Sequence, residues 1–407
     1  MMTDQEICTT LRAHYDSLIA LARSEQVAAL PTPFSLFEAD RIRANCLRLR
    51  SIPRPDGLDL QVHFATKSLY LVSVLDWIAP LVDCFDVQSR REIDLLPKGA
   101  PVSFHSPVLD DCVIEDNRVQ QISLNSVMQV ERALRCRRSG IRWGLRIALS
   151  KHTSSQFVVS GDKFGVAVDD AAEAFVALQD RSAEPVFIHH HSHARLKARE
   201  EAQRTTQAFA DVVRSIEARS QVAVEAVNLG GGWDGAFEAR CGGDSIEVVL
   251  EAQLSTVREE LPNVQSVIIE PGRSLVEDSC IVVTTVCDVF ERDTTTVVVV
   301  DVATGFLVPV PLAHFRILHL GDESSLVSEP REVVIVDGTC SSRGRIAALR
   351  TDRVFQVSDR LAVVNTGAYT YSLAGGFYAV PPPAYAWHGQ LATLTDVKER
   401  RISLDAS

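Results

Sequence analysis

Short runs of apolar and β-branched residues alternate with longer amphipathic stretches over the first two thirds of the chain. Between the runs, stretches such as 126–137 and 196–218 place apolar residues near helical spacing. Strands that alternate with helices are parallel, and eight of them predict a (β/α)8 TIM-like barrel over residues 35–275. A doubly wound open sheet is the alternative. The eight runs are LQVHFAT (60–66), DCFDV (83–87), PVSFHS (101–106), QISLN (121–125), RWGLRIAL (142–149), PVFIHHHS (185–192), AVNLGGG (226–232) and SVIIEPG (266–272).

The pattern changes after Gly272, where strand-like runs follow one another with turns between them and no helices of similar length. Examples are CIVVTTVCDVF (280–290), TTTVVVVDV (294–302) and REVVIVDG (331–338). Residues 276–407 are therefore predicted to form an all-β C-terminal domain. Residues 1–34 are helix-like and end in PTPF, and we expect them to pack on either the barrel or the β domain.

Composition narrows the class of protein. The 407 residues carry 41 bases against 53 acids, a formal charge of −12, which argues against a nucleic-acid binder. The apolar runs are too short for a membrane span, and the first residues have no cationic segment typical of a secretory signal. Nine cysteines without a CxxC favour reduced thiols and a cytoplasmic location.

Polar residues stand where the predicted barrel strands end. Catalytic groups of such barrels lie at the C-terminal ends of the strands. Each residue alone has an ordinary structural explanation, such as a solvated loop lysine or a glycine turn. Their joint placement predicts a site built from Lys67, Asp86, Ser106, Asn125, Arg146, His189, Gly230–Gly232 and Glu270–Arg273.

Four of the eleven histidines lie in VFIHHHSHARL (186–196). His189, His191 and His193 alternate along the predicted strand and share one face, so zinc binding is sterically possible. His190 points the other way and is expected to pack outside the barrel.

The strand-end residues together resemble the barrel-type pyridoxal-phosphate decarboxylases, the ornithine/diaminopimelate decarboxylase family, whose barrel also occurs in alanine racemase. The resemblance runs from about His63 to Tyr369. It rests on seven motifs in the family's order: HFATKS, FDVQSRRE, LRI with KFG, NLGGGW, EPGR, DGTCSSRGR and NTGAYTYS. EPGR is the most specific short match.

The resemblance implies pyridoxal 5'-phosphate as cofactor, with Lys67 as its covalent anchor and Glu270 beside the pyridine nitrogen. His189 is expected to stack on the cofactor ring. Glu270 favours decarboxylation over racemisation, because the racemases typically have arginine there. The phosphate is expected to lie among Ser192, Gly230, Gly231, Gly232, Gly272, Arg273 and Tyr369, with Asp86 and Arg146 completing the cofactor set and no metal.

Cys340 matches the cysteine that protonates the reacting carbon in this family. In the family this cysteine comes from the partner subunit, so the match implies a homodimer with shared active sites. A buried structural thiol is the alternative for Cys340.

The chain departs from the family's pattern just after Cys340. Ornithine and diaminopimelate enzymes carry an acid there, whereas this chain has Ser341 and then Arg343 and Arg345; the stretch 305–312 also lacks an arginine that diaminopimelate enzymes use. Together with the HHHS at 189–192, these differences resemble the siderophore-pathway decarboxylases of citryl-amino acids. They imply an amino-acid substrate with a polar or carboxylate-bearing distal group, contacted by His191, Ser341 and Arg343. The alternative to a substrate contact is that Arg343 and Arg345 lie in a solvated loop or form a salt bridge across a dimer interface.

Three other functions remain open at this point. The same barrel supports a racemase or epimerase, and a diaminopimelate- or ornithine-type decarboxylase. A non-catalytic cofactor-binding protein is the third alternative, and the β tail with Cys340 and Tyr369 argues against it.

Overall fold

The computed structural model describes residues 10–149, 163–191, 196–235, 243–307, 316–321, 326–374, 382–387 and 391–394. The chain divides into two compact units. Of the described residues, the barrel unit comprises those within 45–67 and 75–274, and the β unit comprises those within 10–44, 68–74 and 275–394. Among the described residues, no helix is both long enough and apolar enough to cross a membrane.

Eight parallel strands close into a barrel in their order along the chain, as the sequence predicted. The open-sheet alternative is wrong, because the last strand pairs with the first. The strands are β2 (Asp59–Ala65), β3 (Cys84–Val87), β4 (Val102–His105), β5 (Val119–Leu124), β6 (Arg142–Arg146), β7 (Phe187–His189), β8 (Ala226–Asn228) and β9 (Ser266–Ile269).

Helices follow most of these strands and bury one face each. Three of them begin at a serine whose hydroxyl accepts the backbone N–H three residues later, at Ser89, Ser126 and Ser245. Among the described residues, the helices of this unit are Arg90–Leu95, Asp111–Ile114, Val127–Arg135, Val168–Gln179, Arg199–Ser220 and Ile246–Glu260, while Ala39–Arg50, Val72–Ile78 and Arg273–Val276 cross the unit boundary along the chain.

The barrel core includes a buried cluster of Phe187, Ala226 and Ile268 from three successive strands. Gly144 on the neighbouring strand β6 makes room for the ring of Phe187, because a Cβ at that position would clash with it. The small and large residues are thus complementary across adjacent strands.

The β unit contains a mixed sheet of nine described strands. Its main path runs β14–β13–β11–β10–β1–β16–β17, with β15 pairing β10 and β12 pairing β15. Valine-rich faces of β10, β11 and β13 enclose a core that includes Val282, Val298 and Ile335. The strands are β1 (Phe34–Glu38), β10 (Cys280–Arg292), β11 (Thr295–Val300), β12 (Arg316–His319), β13 (Leu326–Asp337), β14 (Arg345–Arg353), β15 (Arg360–Val364), β16 (Ala384–Trp387) and β17 (Leu391–Thr393).

Strand β1 lies in this sheet, whereas the expected boundary at residues 34/35 would assign it to the barrel. It pairs antiparallel with β10 and parallel with β16. The run FSLFE is buried and apolar, so its sequence fits either unit, and its partners lie more than 200 residues away along the chain.

The N-terminal helices, Asp16–Arg23 and Glu25–Ala28, also belong to the β unit. Arg360 of β15 donates hydrogen bonds to the carbonyls of Val27 and Leu30. The fully buried Tyr15 donates to the side chain of Asn365. These contacts place the N-terminal segment on the β unit, one of the two positions that the sequence left open. The described part of the unit also contains two short helices, Thr304–Leu307 and Thr370–Leu373.

Candidate active site

Glu270 follows the end of β9 and lies at the centre of a buried polar cluster. Its Oε1 accepts a hydrogen bond of 2.7 Å from the side chain of Asn228, which ends β8. Burial disfavours its ionisation, but attraction from the protonated forms of His189, His105 and His191 outweighs burial and lowers the pKa of Glu270 well below its usual range. Oε2 is buried and accepts no hydrogen bond from the described residues. Because buried polar atoms normally have a hydrogen-bond partner, we expect a donor to approach this oxygen from the mouth of the barrel.

Asn228 also organises the glycine loop. Its Oδ1 accepts a hydrogen bond of 2.8 Å from the backbone N–H of Gly230, which has a positive φ of 66°. A Cβ on Gly231 would lie 2.5 Å from the carbonyl oxygen of Glu270, so only glycine allows the loop to approach β9 this closely. One asparagine therefore connects the loop with the central carboxylate.

Asp86 and His105, at the ends of β3 and β4, form a buried pair beside Glu270. Nδ1 of His105 lies 2.7 Å from Oδ1 of Asp86 and 3.8 Å from Oε1 of Glu270. Burial and the charge of Glu270 raise the pKa of Asp86 to about 6, against the opposing effects of His105 and Lys67. Two carboxyl groups thus share one site with a histidine next to them.

The histidines at the end of β7 have separate environments. His189 is fully buried, with Nδ1 2.8 Å from the hydroxyl of Ser123 and Nε2 3.6 Å from Oε1 of Glu270. Burial lowers the pKa of His189 well below its usual value, so the ring is neutral at pH 7. The His190 ring stacks on Phe209 of the helix Arg199–Ser220, which agrees with its predicted outward direction.

His191 returns to the inner face, and its Nδ1 accepts a hydrogen bond of 3.2 Å from the backbone N–H of Gly231. The same nitrogen lies 3.6 Å from Oε2 of Glu270. His191 is therefore close to the glycine loop and to the central carboxylate at once.

Lys67 lies in a 3₁₀ turn, Thr66–Ser68, directly after β2. Its positive charge acts on Asp86 and on His191, lowering the pKa of both. Arg146 at the end of β6 is buried, with its guanidinium carbon 4.3 Å from the ring centre of Phe164. These two residues supply positive charge to the same cluster.

Gly272 and Arg273 lie at the start of the helix Arg273–Val276, immediately after β9. The carbonyl of Pro271 accepts a hydrogen bond from the backbone N–H of Ala65, so the EPGR segment is attached to the strand that leads to Lys67. Ser192 and His193 lie outside the described residues.

Tyr369 and Cys340 belong to the β unit. The backbone N–H of Tyr369 donates to the carbonyl of Ser68, the residue after Lys67, and Tyr369 has a positive φ of 67°. Gly367 packs against the backbone of Val276, where a Cβ would clash with the carbonyl oxygen.

Cys340 is an exposed free cysteine in the turn between β13 and β14. Asp337 organises this turn: its carboxylate accepts hydrogen bonds from the N–H and hydroxyl of Thr304 and of Thr339. Ser341 and Arg343 follow in the same turn, with the Arg343 N–H donating to the Ser341 hydroxyl. The buried-thiol alternative for Cys340 does not fit this exposure.

Sequence reasoning missed Asn228 and His105. Both are buried polar residues at strand ends: His105 directly precedes the predicted Ser106, and Asn228 stands two residues before the predicted Gly230. The polarity of a residue placed between an apolar strand and a loop is the signal that would have identified them.

Two groups of described residues could each present three ligand atoms to a metal ion, within 4.8 Å of one another. They are His189 with His191 and Glu270, and Asp86 with His105 and Glu270. The first contains two of the three histidines considered for zinc. Both groups use Glu270, so a metal would compete with any organic group that needs this carboxylate.

The sequence pattern of the family described as pyridoxal-dependent decarboxylase, pyridoxal binding domain, matches residues 40–277. A diaminopimelate decarboxylase of Campylobacter jejuni is 25% identical over 366 residues, which is 85% of this chain and 88% of that protein.

Two solved structures show the same fold. Diaminopimelate decarboxylase from Helicobacter pylori, complexed with L-lysine, has a TM-score of 0.74 at 22% identity over 92% of this chain and 97% of that one. The Paramecium bursaria Chlorella virus arginine decarboxylase bound to agmatine also has a TM-score of 0.74, at 17% identity over 91% and 100% of the two chains.

Proposed function

We propose that this chain, which belongs to the pyridoxal-dependent decarboxylase family, releases CO2 from an L-amino acid or amino-acid conjugate with a polar or carboxylate-bearing distal group. The broader activity follows from the family: the protein is a carboxy-lyase that depends on pyridoxal 5'-phosphate. The observation that carries the proposal is the buried Glu270, whose Oε1 accepts a hydrogen bond from Asn228 and whose Oε2 accepts none from the described residues.

The described residues fit this cofactor. The buried Oε2 of Glu270 requires a donor, and a protonated pyridine nitrogen supplies one. The glycine loop offers close backbone approach of the kind that phosphate groups need. When bound, pyridoxal phosphate acts as an electron sink for the bond to the carboxylate that leaves.

The protein's own residues hold and tune that group. Lys67 is proposed as the covalent anchor, and Glu270 keeps a negative charge against the pyridine ring. Burial keeps His189 neutral, and its planar ring is proposed to stack on the cofactor ring. Asp86, Arg146, Ser192, Gly230–Gly232, Gly272, Arg273 and Tyr369 remain the proposed cofactor-binding set.

Cys340 is proposed to deliver a proton to the carbon that has lost CO2. Its exposure in a hydrogen-bonded turn leaves the thiol available to a second subunit. A homodimer with shared active sites is therefore part of the proposal. A cytoplasmic location stays a prediction from the cysteine pattern.

The substrate proposal rests on the residues after Cys340. Ser341, Ser342, Arg343 and Arg345 carry hydroxyl groups and positive charge, with no acid among them. An ammonium group at the distal end of a substrate would meet repulsion beside such a turn, while a carboxylate would be attracted. This favours a citryl-amino acid, as in siderophore precursors, over ornithine or diaminopimelate.

The activity is tested first by the cofactor and then by CO2. We expect the purified protein to be yellow, to lose its visible band on borohydride reduction, and to show no such band in Lys67→Ala. A wild-type protein that gains no band with added pyridoxal phosphate would refute the proposal. CO2 release is then measured with citryl-amino acids, ornithine, arginine and meso-diaminopimelate. Exchange of the α-hydrogen with solvent without CO2 release would indicate the racemase activity instead.

The distal carboxylate has its own test. Arg343→Ala should raise KM for a citryl-type substrate about tenfold, the effect of losing one charge-assisted hydrogen bond. Arg350→Ala is the matched control, because Arg350 lies on β14 of the same hairpin and away from the turn. An equal KM in Arg343→Ala and wild type would contradict the carboxylate assignment.

A further inference from the structure

The ring of His191 has polar neighbours in two parts of the proposed cofactor site. Its Nδ1 contacts the backbone N–H of Gly231 at 3.2 Å and approaches Oε2 of Glu270 to 3.6 Å. Gly231 lies in the proposed phosphate loop and Glu270 beside the proposed pyridine nitrogen. The two polar contacts of this ring nitrogen thus lie at two parts of the cofactor site.

The contact with Gly231 defines where the ring carries its proton. An imidazole nitrogen that accepts a hydrogen bond from a backbone N–H has no hydrogen of its own, so Nε2 holds the proton in the neutral ring. Burial, with the charge of Lys67 adding to it, lowers the pKa of His191 to about 4 against the attraction of Glu270. His191 therefore presents Nε2–H as a donor at pH 7.

The loop holds the ring in this place. A Cβ on Gly230 would come within 2.9 Å of the carbonyl oxygen of His190 and of the Cα of His191. The loop backbone thus packs directly on the end of β7. The N–H of Gly231 donates to His191 and is therefore not available to an anion. The Nε2–H of His191 is a donor in its place, so the number of hydrogen-bond donors that an anion could meet is unchanged.

We propose that His191 is a cofactor-binding residue whose Nε2–H donates to the phosphate of pyridoxal phosphate, rather than a residue that selects the substrate. This inference rests on the proposed function of the same site. It revises the substrate role that the sequence suggested for this position.

The test compares two ligands that differ only in the phosphate. Pyridoxal phosphate and pyridoxal are titrated into the cofactor-free protein, and binding is followed by absorbance and by quenching of tryptophan fluorescence. For His191→Ala we expect the Kd of pyridoxal phosphate to rise about tenfold, the effect of losing one hydrogen bond to a charged group. The Kd of pyridoxal should stay within about twofold of wild type, because pyridoxal has no phosphate.

Two further variants make the test specific. His191→Gln keeps a donor of similar reach and should restore most of the affinity for pyridoxal phosphate. His190→Phe keeps the stacking on Phe209 and changes the same strand end on its other face, so both Kd values should match wild type.

Equal losses for the two ligands in His191→Ala would overturn the phosphate contact, and unchanged affinity for both would overturn any cofactor role. These results differ from a failure of the proposed function, in which the wild-type protein would bind neither ligand.

Discussion

Replacing His63 by leucine should make the free energy of unfolding fall less as the pH is lowered. His63 lies on β2, is 1% exposed, and neither of its ring nitrogens has a hydrogen-bond partner among the described residues. Burial lowers its pKa to about 4, with Arg142 adding to the effect and with Glu270 and Asp83 opposing it.

The sign and size follow from proton linkage. Above pH 6.5 the ring is neutral in the folded and unfolded protein, so it contributes no pH dependence. As the pH falls towards 4, the unfolded chain binds a proton at His63 and the folded protein does not, so stability is lost. For a pKa of about 6.5 unfolded and about 4 folded, the loss between pH 7.5 and pH 5 is about 2 kcal/mol.

Urea unfolding of the cofactor-free protein, followed by tryptophan fluorescence at pH 7.5, 6.5, 5.5 and 5.0, measures this term. The free energy of unfolding of wild type should fall by about 2 kcal/mol more than that of His63→Leu across this range. His191, which titrates in the same direction, and Asp86, which titrates in the opposite one, are present in both proteins and cancel. Parallel stability curves for the two proteins would refute the reasoning.

Three further predictions concern the β unit. Cys340→Ala should lower kcat about 100-fold, the usual contribution of a positioned acid, with an unchanged Kd for pyridoxal phosphate; wild-type turnover would remove Cys340 from the reaction. Asp337→Ala, which leaves Thr304 and Thr339 without their acceptor, should lower the free energy of unfolding in urea by about 3 kcal/mol, while Asp337→Asn should lose less. Gly367→Ala should lower the free energy of unfolding in the same assay by about 2 kcal/mol, because its Cβ would clash with the carbonyl oxygen of Val276. Gly338→Ala is the control and should be close to neutral, because the nearest atom to its Cβ is 3.6 Å away. Equal losses of stability in the two variants would contradict the packing argument.

Within the barrel, the sequence predicted the strands well because most of them are short runs of apolar and β-branched residues. The run RWGLRIAL was expected to extend to residue 149, but β6 ends at Arg146, where the backbone N–H groups of Ile147 and Ala148 donate to His189 and Val166. Its apolar residues are buried beyond the strand, so hydrophobicity alone could not define its end.

The β unit was harder to predict in detail. β14 (Arg345–Arg353) contains three arginines and an aspartate, and only Ile346 of its residues is buried, so it lacks the apolar signal of β11. β1 has that signal, but its antiparallel partner β10 begins more than 200 residues later. The pattern of apolar residues in a strand indicates which of its faces is buried, but it does not indicate which other strand it pairs with.

For the candidate site, the sequence by itself determined the residue types and their order along the chain. Lys67, Asp86, His189 and Glu270 could be placed at strand ends because parallel strands of one barrel finish on the same side. The alternation of strands and helices is enough to place these residues at one end of the barrel, without any knowledge of the distances between their side chains.

Only the tertiary structure decided which of these groups touch. It joined Asn228 to both Glu270 and the glycine loop, set His105 against Asp86, and turned His191 towards Gly231. Apart from the contact between Asn228 and Gly230, these contacts join residues that are 19 to 42 positions apart along the chain. Hydrogen bonds and pKa values depend on distances of a few ångströms and on burial, and both are properties of the closed barrel rather than of any segment of the chain.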